Sequence, residues 1–121
     1  MRVDKEIIIL MMLIFFGCSN EKETPLFRSI SSSESGIHFS NDLVFDQEFN
    51  IFKYRNFYNG GGVAIADFNN DSLGDIYLIS NMSSNRLYQN NGNLNFTDIT
   101  KTAGVAGTRA WSTGVSVVDI D

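Results

Sequence analysis

This sequence has one cysteine, one proline, one histidine and one tryptophan, and only nine basic residues against fourteen acidic ones. A single cysteine has no partner within the chain, so no disulfide framework supports the fold. The lone histidine, His38, gives a His-based metal site nothing to build on, and it reads as a strand residue with a backbone partner. The acidic balance argues against nucleic acid as a partner, because backbone binding needs a basic surface to release counterions. Long apolar runs are also missing. The longest, Ile7 to Phe16, has ten residues and as a helix reaches about 15 Å, half of a bilayer core that takes roughly 20 residues to cross.

That run is instead placed as the apolar region of a signal peptide, with Arg2 and Lys5 before it and polar sequence directly after it. The cysteine, Cys18, sits immediately behind a small residue at its end. Phe15-Phe16-Gly17-Cys18 resembles the lipobox of bacterial lipoproteins, with Phe15 where an aliphatic residue is usual. The resemblance implies cleavage before Cys18, lipidation of its thiol, and a chain held at the bacterial outer membrane or cell surface by that lipid anchor. Residues 1–17 are then the signal peptide and 18–36 a flexible tether, with charges, Pro25 and a serine triplet but no apolar period. Ser19 to Glu23 is similar to the acidic export signal of some surface-exposed lipoproteins, and a short charged linker has the same composition. Removing residues 1–17 takes away two bases and two acids, leaving seven basic and twelve acidic side chains and the same net charge of −5. About 100 residues bury only some 60 to 65% of their unfolded surface, so metal ions or further chain are the remaining sources of stability.

Beyond the tether the pattern is all-β. Val63 to Ala66, Ile76 to Ser80, Arg86 to Gln89 and Leu94 to Asp98 are short Val-, Ile-, Tyr- and Phe-rich runs separated by Gly and Asn. Ile37 to Ser40 and Phe49 to Tyr54 are weaker strand candidates. Asn91-Gly92 marks a hairpin between the last two main strands, and Thr100 to Ala103, closed by Gly104, reads as one helical turn. Gly60-Gly61-Gly62 precedes a strand and lacks a following lysine, which points to tight turning or close packing, not to a phosphate loop. Phe49, Phe52, Tyr54, Phe57 and Tyr58 are expected to be buried against a sheet face, with stacking on sugars or peptides as the other use of such rings. Trp111 is expected to pack between repeats.

An internal repeat sets the architecture. Gly62 to Asn69 matches Gly114 to Asp121 at a constant offset of 52, with three identities and five conservative pairs. Four-stranded units recurring at about 40 to 50 residues are propeller blades. The expectation is one complete blade of four antiparallel strands and the start of the next over residues 37–121, within an incomplete propeller that continues in further chain.

Each copy of the repeat runs from a strand into acidic residues. Asp67, Asn69, Asp71 and Asp75 place oxygen side chains at positions 1, 3, 5 and 9 of a loop, with the Leu73 carbonyl at position 7. Alternate residues of a tight loop can face one ion, and calcium takes six to eight hard oxygen ligands. An EF-hand is excluded, because its twelfth position requires Glu and is Leu78 here. From Gly60 through Asp75-Ile76-Tyr77, with Asn85 to Asn90, Phe96 to Thr100 and Gly104-Val105, the sequence resembles the FG-GAP/VCBS repeat family of integrin-α-like β-propellers. The resemblance covers roughly residues 57–121. It implies that Asp67, Asn69, Asp71 and Asp75 are side-chain ligands of Ca2+ and Leu73 a carbonyl ligand, and that Asp119 and Asp121 are the first two ligands of the next loop. Ser72 departs from the family, which has Gly at this left-handed position. Nothing assembles a nucleophile with a base. The function expected is therefore a non-catalytic binding or adhesion scaffold for a glycan or protein at the cell surface. The alternative is an extracytoplasmic enzyme or uptake component whose active residues lie in further chain.

Overall fold

The computed structural model of the chain describes residues 25–107, 111–118 and 120. The signal peptide and Cys18 lie outside these residues, as do Asp119 and Asp121. Four strands, β1 (Val63–Ala66), β2 (Asp75–Leu78), β3 (Arg86–Asn90) and β4 (Phe96–Asp98), form one antiparallel sheet in sequential order. This is the four-stranded meander of a single propeller blade, and the expected all-β class holds. No helix among the described residues is long and apolar enough to cross a membrane.

The register pairs Ile65 with Ile76, Ile76 with Tyr88, and Tyr88 with Asp98. Alternation along the strands then puts Ala64, Tyr77 and Leu87 on one face and Ile65, Ile76 and Tyr88 on the other. Both Leu87 and Tyr88 are buried, so β3 is covered on both faces. Over the first face runs a short helix, α2 (Thr100–Ala103), ended by Gly104 at φ 69°. The Thr100 Oγ1 accepts the Leu87 N–H at 2.8 Å, and the Tyr77 hydroxyl donates to the Val105 carbonyl. Asp98 accepts from both the backbone N–H and the hydroxyl of Thr100. Burial opposes ionisation of its carboxyl, but these bonds and Arg86 outweigh it and hold the pKa below the usual carboxylate value.

The N-terminal segment covers the outer half of the second face. Ser31 caps α1 (Ser32–Ser35) by accepting the Glu34 N–H, and Gly36 ends it at φ 76°, so a capped turn occupies the end of the stretch expected to be tether. Gly36 lies so close to the Phe96 carbonyl that a Cβ there would sit 2.3 Å from its oxygen. The Tyr88 hydroxyl donates to the His38 carbonyl at 2.9 Å. His38 thus has its backbone partner, yet Ile37 to Ser40 joins no ladder. Phe49 to Tyr54 is likewise not a strand. Asp46 and Asn50 bond the backbone N–H groups that follow them and turn the chain instead. Strand ends also differ from expectation: Ile79 and Ser80 leave the β2 ladder, and Leu94 stays in the hairpin loop. In that loop positive φ falls on Gly92, Asn93 and Leu94 rather than on Asn91 and Gly92.

The three glycines before β1 do separate jobs. Gly60 takes φ 80°. Gly61 lies against the Ile79 carbonyl, where a Cβ would meet the oxygen at 1.9 Å. Gly62 faces Gly114, whose Cα would be 3.2 Å from an added Cβ. Residues 62 and 114 are equivalent positions of the internal repeat. Units related by rotation touch through equivalent residues only near their axis, so this contact marks the inner edge of the blade. Residues 111–118 form no ladder among the described residues. Their approach to the sheet is at Gly62, just before β1, through Gly114 and Val115.

Gly61→Ala is expected to lower stability by about 3 kcal/mol, since the obstruction is backbone and has no rotamer to give way. Gly60→Ala, which meets open space but a left-handed φ, should cost about 1 kcal/mol. Urea unfolding of the two variants checks this, and equal losses would dismiss the close approach as the reason for Gly61.

Candidate metal-binding loop

The loop joins the two innermost strands, leaving β1 at Asp67 and entering β2 at Asp75. Its course is set by Asx contacts, in which a short acidic or amide side chain bonds backbone N–H groups a few residues on. Asp67 accepts three: Asn69 at 3.3 Å and Asp71 at 3.1 Å on Oδ1, and Ser72 at 2.8 Å on Oδ2. Asn69 Oδ1 accepts the Asp71 N–H, and Asp71 Oδ1 accepts the Leu73 N–H at 2.8 Å. The Asn69 amide also donates to Asp71 Oδ2 at 2.8 Å. Donors aimed at a carboxylate favour its charged form. The Ser72 N–H in particular holds the Asp67 carboxyl below its ordinary pKa.

Two residues turn left-handed within the loop, Asn70 at φ 60° and Ser72 at φ 68°. Asn accepts this conformation readily, whereas Ser carries the penalty that glycine avoids. The departure noted at Ser72 is therefore a strained position.

Asp75 differs from the other donors because it is fully buried. Its Oδ2 accepts the Phe68 N–H at 3.1 Å, across the mouth of the loop, and its Oδ1 accepts the Asn90 N–H at 2.8 Å from the end of β3. Asn90 completes the tie by donating from its amide to the Gly74 carbonyl at 3.0 Å and accepting the Gly92 N–H at 2.9 Å. Sequence reading missed Asn90, whose only signal was an amide one residue ahead of the Asn-Gly hairpin. Leu73, the expected carbonyl donor, is partly exposed at the loop surface.

The structure thus brings Asp67, Asn69 and Asp71 together in one exposed turn and sets Asp75 beneath it as a brace. Among the described residues no group of three His, Cys, Asp or Glu side chains stands ready to hold a metal. The donor chemistry nevertheless fits a hard cation. Every candidate is an oxygen, each carboxylate offers about four lone-pair sites, and hydrogen bonds occupy only some of them.

Asp75→Ala should destabilise the protein by about 3 kcal/mol even in chelator, because it strands two inward-facing N–H groups. Ser72→Gly should gain up to about 1 kcal/mol by removing the left-handed penalty, less the entropy glycine adds to the unfolded chain. Both are read from urea midpoints, and a neutral Asp75→Ala would refute the bracing role.

No curated protein and no solved structure matches the chain. The FG-GAP-like repeat family matches residues 67–121, starting at the first residue of the acidic loop. The matched stretch takes in that loop, β2 to β4, α2 and the second copy of the repeat. Residues 67–121 thus carry an FG-GAP-like repeat, and together with the four-stranded meander the fold is β-propeller-like.

Proposed function

We propose that this protein is a lipid-anchored, calcium-binding β-propeller that acts as a non-catalytic binding or adhesion scaffold at the bacterial cell surface. The observation that carries the reading is the acidic loop, an all-oxygen donor set in one turn between the two inner strands. In this reading Asp67, Asn69, Asp71 and Asp75 supply side-chain oxygens, Leu73 supplies its carbonyl, and Asp119 and Asp121 open the equivalent loop of the next unit. Bound calcium offsets the charge of the three aspartates and fixes the turn. It takes no part in bond making, and ligand contact falls to the surface loops between strands.

Calcium at a hundredfold excess over its dissociation constant stabilises the folded state by about 2.7 kcal/mol. The melting temperature should therefore rise in calcium, fall in chelator and respond poorly to magnesium, which demands a smaller octahedral shell. Asp67→Ala should abolish the response. Identical melting curves in calcium and chelator would remove the metal from this account.

Anchorage rests on Cys18 following the apolar run. Two acyl chains give stable membrane attachment where one is marginal, so the mature protein should partition with membranes and incorporate labelled fatty acid. Label retained by Cys18→Ala, or a mature protein still beginning at Met1, contradicts the anchor.

A further inference from the structure

We infer that the segment spanning residues 45–58 forms a binding cup for a neutral saccharide. This inference rests on the scaffold function proposed above and gives it a ligand class and a location. The starting observation is that Phe52 and Tyr58, expected to be buried against a sheet face, are exposed instead. Phe57 is fully buried, while Phe45, Phe52 and Tyr58 are 69%, 94% and 60% exposed. Three rings of one short segment therefore face solvent while their neighbours form its base.

The segment holds its own shape. Asp46 Oδ1 accepts the N–H groups of Glu48 at 2.8 Å and Phe49 at 2.6 Å. Asn50 donates to the Asp46 carbonyl at 2.8 Å and accepts from Phe52 at 3.0 Å and Lys53 at 3.3 Å, using both ends of its amide. Lys53 pairs with Glu48 at 2.8 Å. From beneath, Phe49 stacks on Tyr54 with centroids 5.6 Å apart and meets Trp111 edge-on at 4.6 Å. A segment fixed both within and from below presents its outer rings without needing a cover to order it.

Between those rings lies a cup of about 540 Å³, inside the range of roughly 300 to 1,000 Å³ typical of small-ligand clefts. Its apolar lining is Phe45, Ile51, Phe52 and Tyr58, and its polar lining is Asp46, Gln47 and Asn50. Among the described residues, Asp46 Oδ2, the Gln47 amide and the Tyr58 hydroxyl have no hydrogen-bond partner, since Asp46 spends only its Oδ1 on the turn. This combination selects among ligands. An acyl chain or apolar helix laid in the cup would strand Asp46 and Gln47 without partners, at about 1–3 kcal/mol each. Anions and nucleic acid would meet the carboxylates of Asp46 and Glu48. A pyranose ring has an apolar C–H face for an aromatic ring and a rim of hydroxyls that both donate and accept. It matches the apolar and the polar lining together.

The test is native affinity electrophoresis of the full chain in gels containing soluble β-glucan, xylan or mannan, with calcium present. Retardation is expected in at least one gel. Phe52→Ala and Tyr58→Ala, both at exposed positions, should each weaken it about five- to tenfold while leaving the melting temperature unchanged. No retardation in any of the three gels overturns the inference, and so does retardation that both variants retain. The scaffold reading fails separately. It loses its basis if the calcium melting response is absent or the protein turns over a polysaccharide, whereas an intact calcium response with no retardation discards the cup alone.

Discussion

The buried carboxylate of Asp75 is the constraint on which this blade depends. A carboxyl group out of water needs hydrogen-bond partners, and here each of its oxygens accepts one backbone N–H from a different part of the chain. One belongs to Phe68, just after β1, and the other to Asn90, at the end of β3. The residue that begins β2 therefore fixes where β1 stops and how the β3–β4 hairpin sits. Loop geometry follows from that anchorage. The Asx contacts of Asp67, Asn69 and Asp71 fold the turn between ends that the Ala66–Asp75 pairing holds together. Site and fold are one arrangement, with the exposed donors standing on a buried member of their own set.

A second polar centre does the same work at the other end of the sheet. Asn81 is buried, exchanges hydrogen bonds with Asn41 through both side chain and backbone, and donates to the carbonyls of Gly60 and Ser112 at 2.9 Å each. Four stretches of chain far apart in sequence meet at one side chain. Apolar contact alone would set their distance but not their register, whereas an amide with fixed donors and acceptors sets both. Trp111 packs close by against Phe49, Tyr54 and Phe57. Its indole N–H is buried without a partner among the described residues, and its backbone is left-handed at φ 72°. Aromatic burial at this point outweighs both a lost hydrogen bond and a strained backbone.

The parts legible in the sequence were those governed by local rules. Alternation and turn residues located all four strands to within a residue or two, the glycine after Ala103 ended the short helix, and the close packing expected of the Gly60–Gly62 run is seen at Gly61 and Gly62. The donor spacing showed where a turn rich in oxygen would lie. It did not show that Asp75 would be buried beneath that turn, because burial depends on Phe68 and Asn90 arriving from either side. Ile37 to Ser40 carried a strand pattern but found no ladder, since its polar contacts go to the Tyr88 hydroxyl and, through Asn41, to Asn81. Phe49 to Tyr54 failed for a local reason that composition obscured. Asp46 and Asn50 compete for the backbone N–H groups a strand would need, and three aromatic residues and one isoleucine do not outweigh that competition.

The direction of β1 separates the two candidate surfaces. The chain enters this strand from the segment that carries Phe52 and Tyr58, and it leaves into the acidic loop. Four strand residues at about 3.3 Å each put some 13 Å between the ends. A cation in the loop therefore cannot touch a ligand in the cup, and direct charge effects across that distance are largely screened at physiological ionic strength. What connects them is mechanical. The loop fixes where β1 ends, the glycines fix how closely the chain before it approaches Ile79 and Gly114, and Trp111, which packs on Phe49, precedes Gly114 in the same segment. In the proposed reading, metal at one end would thus act on recognition at the other by holding the blade rigid, without touching the ligand.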